Sequence, residues 1–273
     1  MLFRSKESLS LTLLLGMVMS LVSIAIDSSL PTLPAIQTGF DAAASEVQMA
    51  RGGIMLGFVA GQLTAGPLAD RYGRRPMLIA ALTVFLLASM ACALAQSLFF
   101  LCAARFVQGC AAVFGPVLVR AIVRDLFQPH EGAQVMSQAL SGLGVIACTC
   151  APVGGLLSDW VGWRLALLSV SAFGVLTFAL LLWGYQETLP QRRHDALQWR
   201  SLWRANLEIL GHPVFRTWCA LSSASYLGLF TFLATSSFVF TRQLGYSKTT
   251  YGLLMFTMSF AYIVGTFWGR WML

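Results

Sequence analysis

Apolar stretches of about 20 residues, separated by short polar gaps, recur along this chain and constrain its fold more than any other feature. A helix that crosses a lipid bilayer needs about 20 mostly apolar residues. Only 11% of the 273 residues are charged and 57% are hydrophobic, whereas a soluble domain carries roughly a quarter charged residues. The pattern therefore predicts an all-α polytopic membrane protein.

Eight segments fit this pattern. The first runs from Leu9 to Ile26 and is expected to continue past Asp27 toward Ile36. The others are expected at Val47–Leu68, Met77–Ala95, Leu98–Ile122, Ala133–Leu157, Leu165–Tyr185, Thr217–Phe240 and Tyr251–Leu273. The longest gap predicts a six-helix part over residues 1–186, a linker over 187–216 and a further part over 217–273. Within the linker, Trp199 to Leu210 alternates aromatic, aliphatic and basic residues, which favours a helix lying in the membrane interface over a solvated linker.

Positive charge is distributed unevenly between the two ends of the predicted spans. The formal net charge is +7, and most arginines fall in alternate gaps, which is how cytoplasmic loops are marked. A nucleic-acid-binding protein would instead cluster basic residues on one face. We therefore expect a cytoplasmic N-terminus, insertion in a bacterial inner membrane and no nucleic-acid partner.

The cysteines and histidines show no catalytic or metal-binding spacing. All six cysteines lie in apolar stretches without a CxxC pair, so they are interpreted as small core hydrophobes. The sequence has no P-loop and no combination of nucleophile and base, so neither an enzyme, a metal site nor a cofactor is expected.

The gap between the second and third spans carries the most specific motif. Gly66 and Gly73 permit a tight turn and close helix approach, and Asp70 can accept from helix amides or pair with an arginine. Such a charged lock would favour one of two conformers. An orientation anchor is the alternative, but it explains only the arginines. The motif reads Gly66-Pro67-Leu68-Ala69-Asp70-Arg71-Tyr72-Gly73-Arg74-Arg75-Pro76.

Two further motifs lie within spans. The fourth span contains Arg105-Phe106-Val107-Gln108-Gly109. The fifth contains Gly144 and then Ala151-Pro152-Val153-Gly154-Gly155, where small residues allow close packing and proline frees a carbonyl, so that the helix can bend. Close packing without bending is the alternative.

These motifs together resemble the major facilitator superfamily. The Gly66 loop is similar to its signature loop, Arg105 to its intramembrane arginine motif, and Pro152 to the glycine–proline motif of its drug antiporters. With the segments Asp27 to Ile36, Gly61 to Leu63 and Arg120 to Phe127, the chain is similar to the bicyclomycin-resistance (Bcr/CflA) type of drug:proton antiporter. The resemblance implies a monomer with twelve spans, a drug-like substrate and the proton gradient as energy source, so we expect truncation after the eighth span.

Ionisable residues within spans are functional candidates, because each costs about 2.5–3.5 kcal/mol to insert. Asp27 and Arg105 are predicted to share a layer in the outer half of the membrane. As a hypothesis, Asp27 binds a proton in competition with the drug, and Arg105 orients its carboxylate. A structural ion pair, or an Asp27 at the wet end of a proline-broken helix, is the alternative. Arg124 and Asp125 are expected in a cytoplasmic charge network with the Asp70 loop.

Aromatic and methionine side chains are candidates for a promiscuous drug pocket. The alternative for each is packing or lipid contact. The candidates are Met55, Phe114, Met136, Tyr226, Phe230 and Phe232. For the chain as a whole, a transporter of a sugar or organic acid and a non-transporting truncated remnant are the competing interpretations.

Overall fold

The computed structural model describes residues 6–29, 32–192, 197–198, 207–238 and 244, together with 257, 260–261, 264–265 and 268. Two compact units result: residues 1–193 with 263–273, and residues 194–262. Within the described residues the first unit contains α1 (Lys6–Asp27), α2 (Leu33–Phe40), α3 (Ala44–Tyr72), α4 (Arg74–Ala93), α5 (Leu98–Ala112), α6 (Phe114–Leu126), α7 (Pro129–Val161) and α8 (Trp163–Gly184). The second contains α9 (Pro213–Phe238).

Six helical segments in the described part of the chain are long and apolar enough to cross a membrane. They are Ser10–Asp27, Ser45–Tyr72, Arg74–Ala93, Leu98–Leu126, Pro129–Cys150 and Trp163–Gly184, and they correspond to the first six predicted spans. Helix α9 overlaps the predicted seventh span. The predicted eighth span and the predicted interfacial helix lie largely outside the described residues.

The first span ends earlier than the sequence predicted. Helix α1 stops at Asp27, and α2 begins separately at Leu33 with proline in its first turn. The hydroxyls of Ser28 and Ser29 donate to the carbonyls of Ile24 and Ile26 at 2.5 and 2.7 Å, which satisfies acceptors at the helix end. The expected continuous helix from Leu9 to Ile36 is therefore wrong, and Asp27 lies at a helix terminus.

The fourth span is broken in the middle. Helix α5 ends at Ala112 and α6 begins at Phe114, with Val113 between them. Pro116 lacks an N–H and its ring clashes with the carbonyl four residues earlier, which is that of Ala112. Proline thus explains a break in a segment that the sequence predicted as a single helix.

The predicted loop between the second and third spans is mostly helix. Helix α3 continues to Tyr72, and the chain turns only at Gly73, whose φ of 108° favours glycine. A β-carbon built on Gly66 would have no atom within 4 Å. The predicted role of Gly66 in a tight turn or a close helix approach is therefore wrong, because Gly66 lies inside α3 and faces open space.

Helices α3 and α5 approach each other closely. A β-carbon on Gly57 would overlap the backbone carbonyl of Phe106, and one on Gly109 would overlap that of Ile54. Gly53 repeats the contact one turn earlier, since a β-carbon there would lie 2.9 Å from the carbonyl oxygen of Cys102. Small residues spaced by four allow backbones to pack this tightly in a membrane protein. The helix that carries Arg105 is consequently held firmly against α3.

Two apolar clusters form the core of the first unit. The larger joins α1 and α3 to α8 around residues such as Leu15, Phe85 and Leu118. The smaller joins α2 to α3, α4, α5 and α8 around Ile36 and Leu101. Cys92 and Cys150 are buried, as expected, whereas Cys219 on α9 is exposed.

An arginine fixes the short helix α2 at one end of the bundle. The guanidinium of Arg164 lies 4.2 Å from the ring centroid of Trp163 and 5.9 Å from that of Phe40. It also donates to the carbonyl of Ala95 at 3.1 Å. This stack places α2 against the starts of α5 and α8.

Candidate functional site

A buried arginine lies at the centre of the first unit. The side chain of Arg105 is 4% exposed. Its Nη1 donates to the carbonyl oxygen of Ala25 at 2.9 Å and to Oε1 of Gln108 at 3.0 Å. The first bond connects α5 to α1 near the end of α1, and the second keeps the guanidinium pointed along its own helix.

The same polar network continues into α4. Nε2 of Gln108 donates to Oγ of Ser89 at 2.7 Å, and that hydroxyl donates to the carbonyl of Phe85 at 2.7 Å. Both Gln108 and Ser89 are buried. The three side chains thus hold α1, α4 and α5 together by hydrogen bonds that cannot be exchanged for water inside a bilayer. Sequence analysis missed the roles of Gln108 and Ser89, although Gln108 follows Arg105 by three residues and so shares its helix face.

Asp27 lies close to this network without pairing with Arg105. Among the described residues, the nitrogen–oxygen ion pairs within 4.0 Å involve only Arg74, Arg124, Asp70 and Asp125. The carboxylate of Asp27 is half-buried and interacts electrostatically with Arg51 of α3 and with Cys150 of α7. The structure therefore brings Arg105 to the backbone two residues before Asp27, while the charge of Arg51 acts on the carboxylate without an ion pair within 4.0 Å.

Arg51 was not among the site residues that the sequence predicted. It lies about two turns inside the start of α3, and its positive charge acts on the Asp27 carboxylate. The two side chains do not form an ion pair within 4.0 Å.

At the opposite end, the predicted charge cluster forms around Arg74. This arginine is 2% exposed, and its Nη1 lies 2.6 Å from Oδ1 of Asp70. Its Nε donates to Oδ2 of Asp125 at 3.1 Å. The cluster joins α3, α4 and α6. Asp70 pairs with an arginine, as expected, and Asp125 lies in the same cluster as the Asp70 loop, as also expected.

Glu187 completes this cluster and was not predicted. Its carboxylate accepts from the backbone amides of Arg74 at 3.0 Å and Arg75 at 3.2 Å, which are the first amides of α4. An anion at a helix N-terminus is favoured by the helix dipole and satisfies otherwise unpaired donors. A β-carbon on Gly73 would meet the flexible end of the Glu187 side chain, so the φ of 108° is what favours glycine there.

The remaining basic residues of this end are held less tightly. Arg75 donates through Nη2 to the carbonyl of Leu182 at 3.2 Å, and Arg71 lies 5.4 Å from the ring centroid of Tyr72. The side chain of Arg124 is 76% exposed and only 4.0 Å from Asp125. Nearby, burial raises the pKa of Tyr185, whose hydroxyl forms a hydrogen bond with that of Thr188 at 2.9 Å.

Helix α7 runs unbroken from Pro129 to Val161 through the position of Pro152. Gly144 is buried. A β-carbon on Gly154 would overlap the carbonyl of Ser28, directly after Asp27. The surroundings of Pro152 and Gly155 lie outside the described part of the structure. Close packing against the end of α1 is thus the observed role of Gly154, and bending of α7 stays a prediction.

The predicted drug contacts fall into two groups. Phe114 is buried in the larger apolar cluster, and Met55 and Met136 pack against it. In the second unit, Tyr226 is 63% and Phe232 is 37% exposed, and the side chain of Phe230 lies outside the described residues. A shared drug pocket stays a prediction.

The bundle of membrane-length helices around a buried polar network defines a multi-pass helical membrane protein. Residues 13–273 match the Major Facilitator Superfamily, and the chain belongs to this family of transporters.

Bacterial relatives show a similar sequence. The chain is 32% identical over 265 residues to the uncharacterized MFS-type transporter YdgK of Bacillus subtilis (strain 168), covering 96% of this chain and 66% of YdgK. It is 31% identical to the multidrug resistance protein MdtL of Salmonella heidelberg (strain SL476), covering 84% and 58%. It is 29% identical to a chloramphenicol resistance protein of Pseudomonas aeruginosa, covering 98% and 64%. The chain thus spans about three fifths of the length of these relatives.

A solved structure shows the same fold. The human organic anion transporter MFSD10 (TETRAN) superimposes with a TM-score of 0.69 over 96% of this chain and 72% of its own. The sequence identity is 19%, so the likeness concerns the fold alone.

Proposed function

We propose that the chain acts in secondary-active efflux of drug-like molecules in exchange for protons. The observation that carries this proposal is the half-buried carboxylate of Asp27, which has no ion-pair partner within 4.0 Å among the described residues. An ionisable group in such a position can bind either a proton or a cationic or polar ligand. Relatives named for multidrug and chloramphenicol resistance support a drug as that ligand.

The proposed exchange begins at the end of α1. Protonation of Asp27 removes its negative charge and weakens its interaction with Arg51 and with a bound drug, so the drug is released. Loss of the proton restores the carboxylate for the next drug molecule. The hydrogen bond from Arg105 to Ala25 holds the end of α1 in place during this competition.

The cluster at the opposite end of the bundle serves as the proposed conformational lock. Asp70, Arg74, Asp125 and Glu187 connect α3, α4 and α6 to the segment after α8. A cluster of this kind stabilises one arrangement of the helices by several charge-assisted hydrogen bonds. Binding at Asp27 then shifts the balance between arrangements to the extent that its affinity differs between them.

The proposed location is a bacterial inner membrane with the N-terminus in the cytoplasm. Support comes from the accumulation of arginine at the Arg74 end of the bundle and from the bacterial sources of the relatives. No cofactor is required in this proposal, because the proton gradient supplies the energy.

Drug accumulation in everted membrane vesicles tests this function. Respiration acidifies the interior of such vesicles, and the 273-residue chain is expected to accumulate labelled chloramphenicol or a cationic dye until an ionophore collapses the pH gradient. A labelled hexose and a labelled dicarboxylate are included as competing substrates. Accumulation of either metabolite without any movement of drug would contradict the proposal and favour a metabolite transporter.

A further inference from the structure

A cationic groove lies beside the charge cluster, at the junction of α6 and α7. It has a volume of about 540 Å³ and is lined by the ends of both helices. Two of the lining residues are Arg120 and Arg124, which are four residues apart on α6 and therefore lie on one face. Both side chains are exposed.

Within the described residues, the positive charge of this groove is only partly balanced by the protein. Among the described residues, Arg120 has no ion pair within 4.0 Å and no hydrogen bond from its guanidinium. Among the described residues that line the groove, Asp125 has the only carboxylate, and it already accepts a bond from Arg74 at 3.1 Å. Nε of Arg124 lies 4.0 Å from Oδ1 of Asp125. Two guanidinium groups thus remain available to an external anion.

The depth and lining of the groove favour a lipid over a soluble anion. Arg120 lies six residues, roughly 9 Å, inside the end of a segment that is apolar enough to cross a membrane. At this depth an exposed guanidinium extends toward the phosphate layer of the bilayer. Leu126, 45% exposed, and Phe127 line the same groove, which suits a molecule with both a phosphate and acyl chains.

We propose that this groove binds the phosphodiester headgroup of an anionic phospholipid. Arg120 and Arg124 contact the phosphate oxygens, and Leu126 and Phe127 contact the upper part of the acyl chains. The site is separate from the proposed exchange site at Asp27 and does not depend on the transport function. Through Asp125, which follows Arg124 directly, a bound lipid adjoins the charge cluster around Arg74.

Native mass spectrometry of the 273-residue chain tests this site. The chain is mixed with phosphatidylglycerol or with zwitterionic phosphatidylcholine of the same acyl chains. We expect preferential binding of phosphatidylglycerol, reduced roughly fivefold by R120Q and by R124Q, since each basic residue near an anionic surface contributes about this factor. R192Q, which removes an exposed arginine outside the groove, is expected to bind like the wild type. Equal phosphatidylglycerol binding by R120Q, R124Q and R192Q would overturn the proposal.

Two further arms make the outcome specific. The double variant R120K/R124K preserves the charge, so it is expected to retain the preference for phosphatidylglycerol. If it loses that preference as fully as R120Q/R124Q, cationic recognition is refuted. Glycerophosphoglycerol, the headgroup without acyl chains, is expected to bind at least tenfold more weakly than the lipid. Equal binding would assign the groove to a soluble phosphodiester and overturn the lipid assignment.

Discussion

The guanidinium of Arg105 donates a 2.9 Å hydrogen bond to the main-chain carbonyl of Ala25, two residues before Asp27. The same nitrogen donates to Gln108, which is fixed in turn by Ser89. Arg105 therefore positions the end of α1 through the backbone, whereas the sequence predicted that it would act directly on the carboxylate.

Replacement of Arg105 by lysine should separate positioning from charge. The ammonium group retains the positive charge, but it stands on a side chain one bond shorter and so does not reach the position of Nη1, which donates to both Ala25 and Gln108. A hydrogen bond to a charged group contributes roughly 1.5–3 kcal/mol, so drug efflux by R105K should fall about tenfold or more while the protein remains in the membrane. Efflux in vesicles checks this, with R192K as the matched control. Efflux by R105K equal to that by R192K would show that positive charge alone is sufficient.

The contact between α3 and α5 should not tolerate a methyl group at Gly57. A β-carbon there would overlap the carbonyl of Phe106, and overpacking of this kind costs about 1–3 kcal/mol. Gly52→Ala, on the same helix, meets no atom within 4 Å and should stabilise α3 by about 0.5–1 kcal/mol. Thermal unfolding in detergent should therefore give a lower midpoint for G57A and an unchanged or higher midpoint for G52A. A G57A midpoint at or above that of G52A would contradict the close approach.

Glu187 should stabilise the start of α4 through its charge. Its carboxylate accepts from the amides of Arg74 and Arg75, and a charge at a helix N-terminus contributes about 0.3–1 kcal/mol. E187Q should therefore lower the thermal midpoint, with a smaller loss than E187A because the amide oxygen still accepts a hydrogen bond. D41N removes the charge of an exposed aspartate at the C-terminal end of α2 and provides the comparison. If E187A and D41N had the same midpoint, Glu187 would have no capping role.

Much of the architecture was predictable, because few backbone arrangements satisfy their hydrogen bonds inside a bilayer. Apolar length predicted the six spans that the described part of the structure contains, and the spacing from Asp70 to Arg75 predicted a charged cluster at one turn. The helix breaks after Asp27 and at Val113 were missed, because apolar length alone does not reveal where serine and proline interrupt hydrogen bonding. The presence of Pro116 within the fourth span could have predicted the second break.

The partners of the site residues were harder to predict than their positions. Glu187 lies 113 residues after Arg74 along the chain, and no local pattern connects them. The contact from Arg105 to Ala25 uses a main-chain carbonyl, which every residue possesses, so the sequence carries no signal for it. The role of Gln108 could have been predicted, since its spacing places it beside Arg105 on one helix face.

Drug-induced proton movement tests the central claim most directly. The 273-residue chain is reconstituted in liposomes that contain a pH-sensitive dye, and a drug gradient is imposed without a pH gradient. We predict that the wild type and D41N, which changes an exposed aspartate outside the site, couple drug movement to a change of internal pH. D27N is predicted to lose this coupling, because an amide cannot exchange a proton. Drug-driven proton movement by D27N at the rate of D41N would contradict the account.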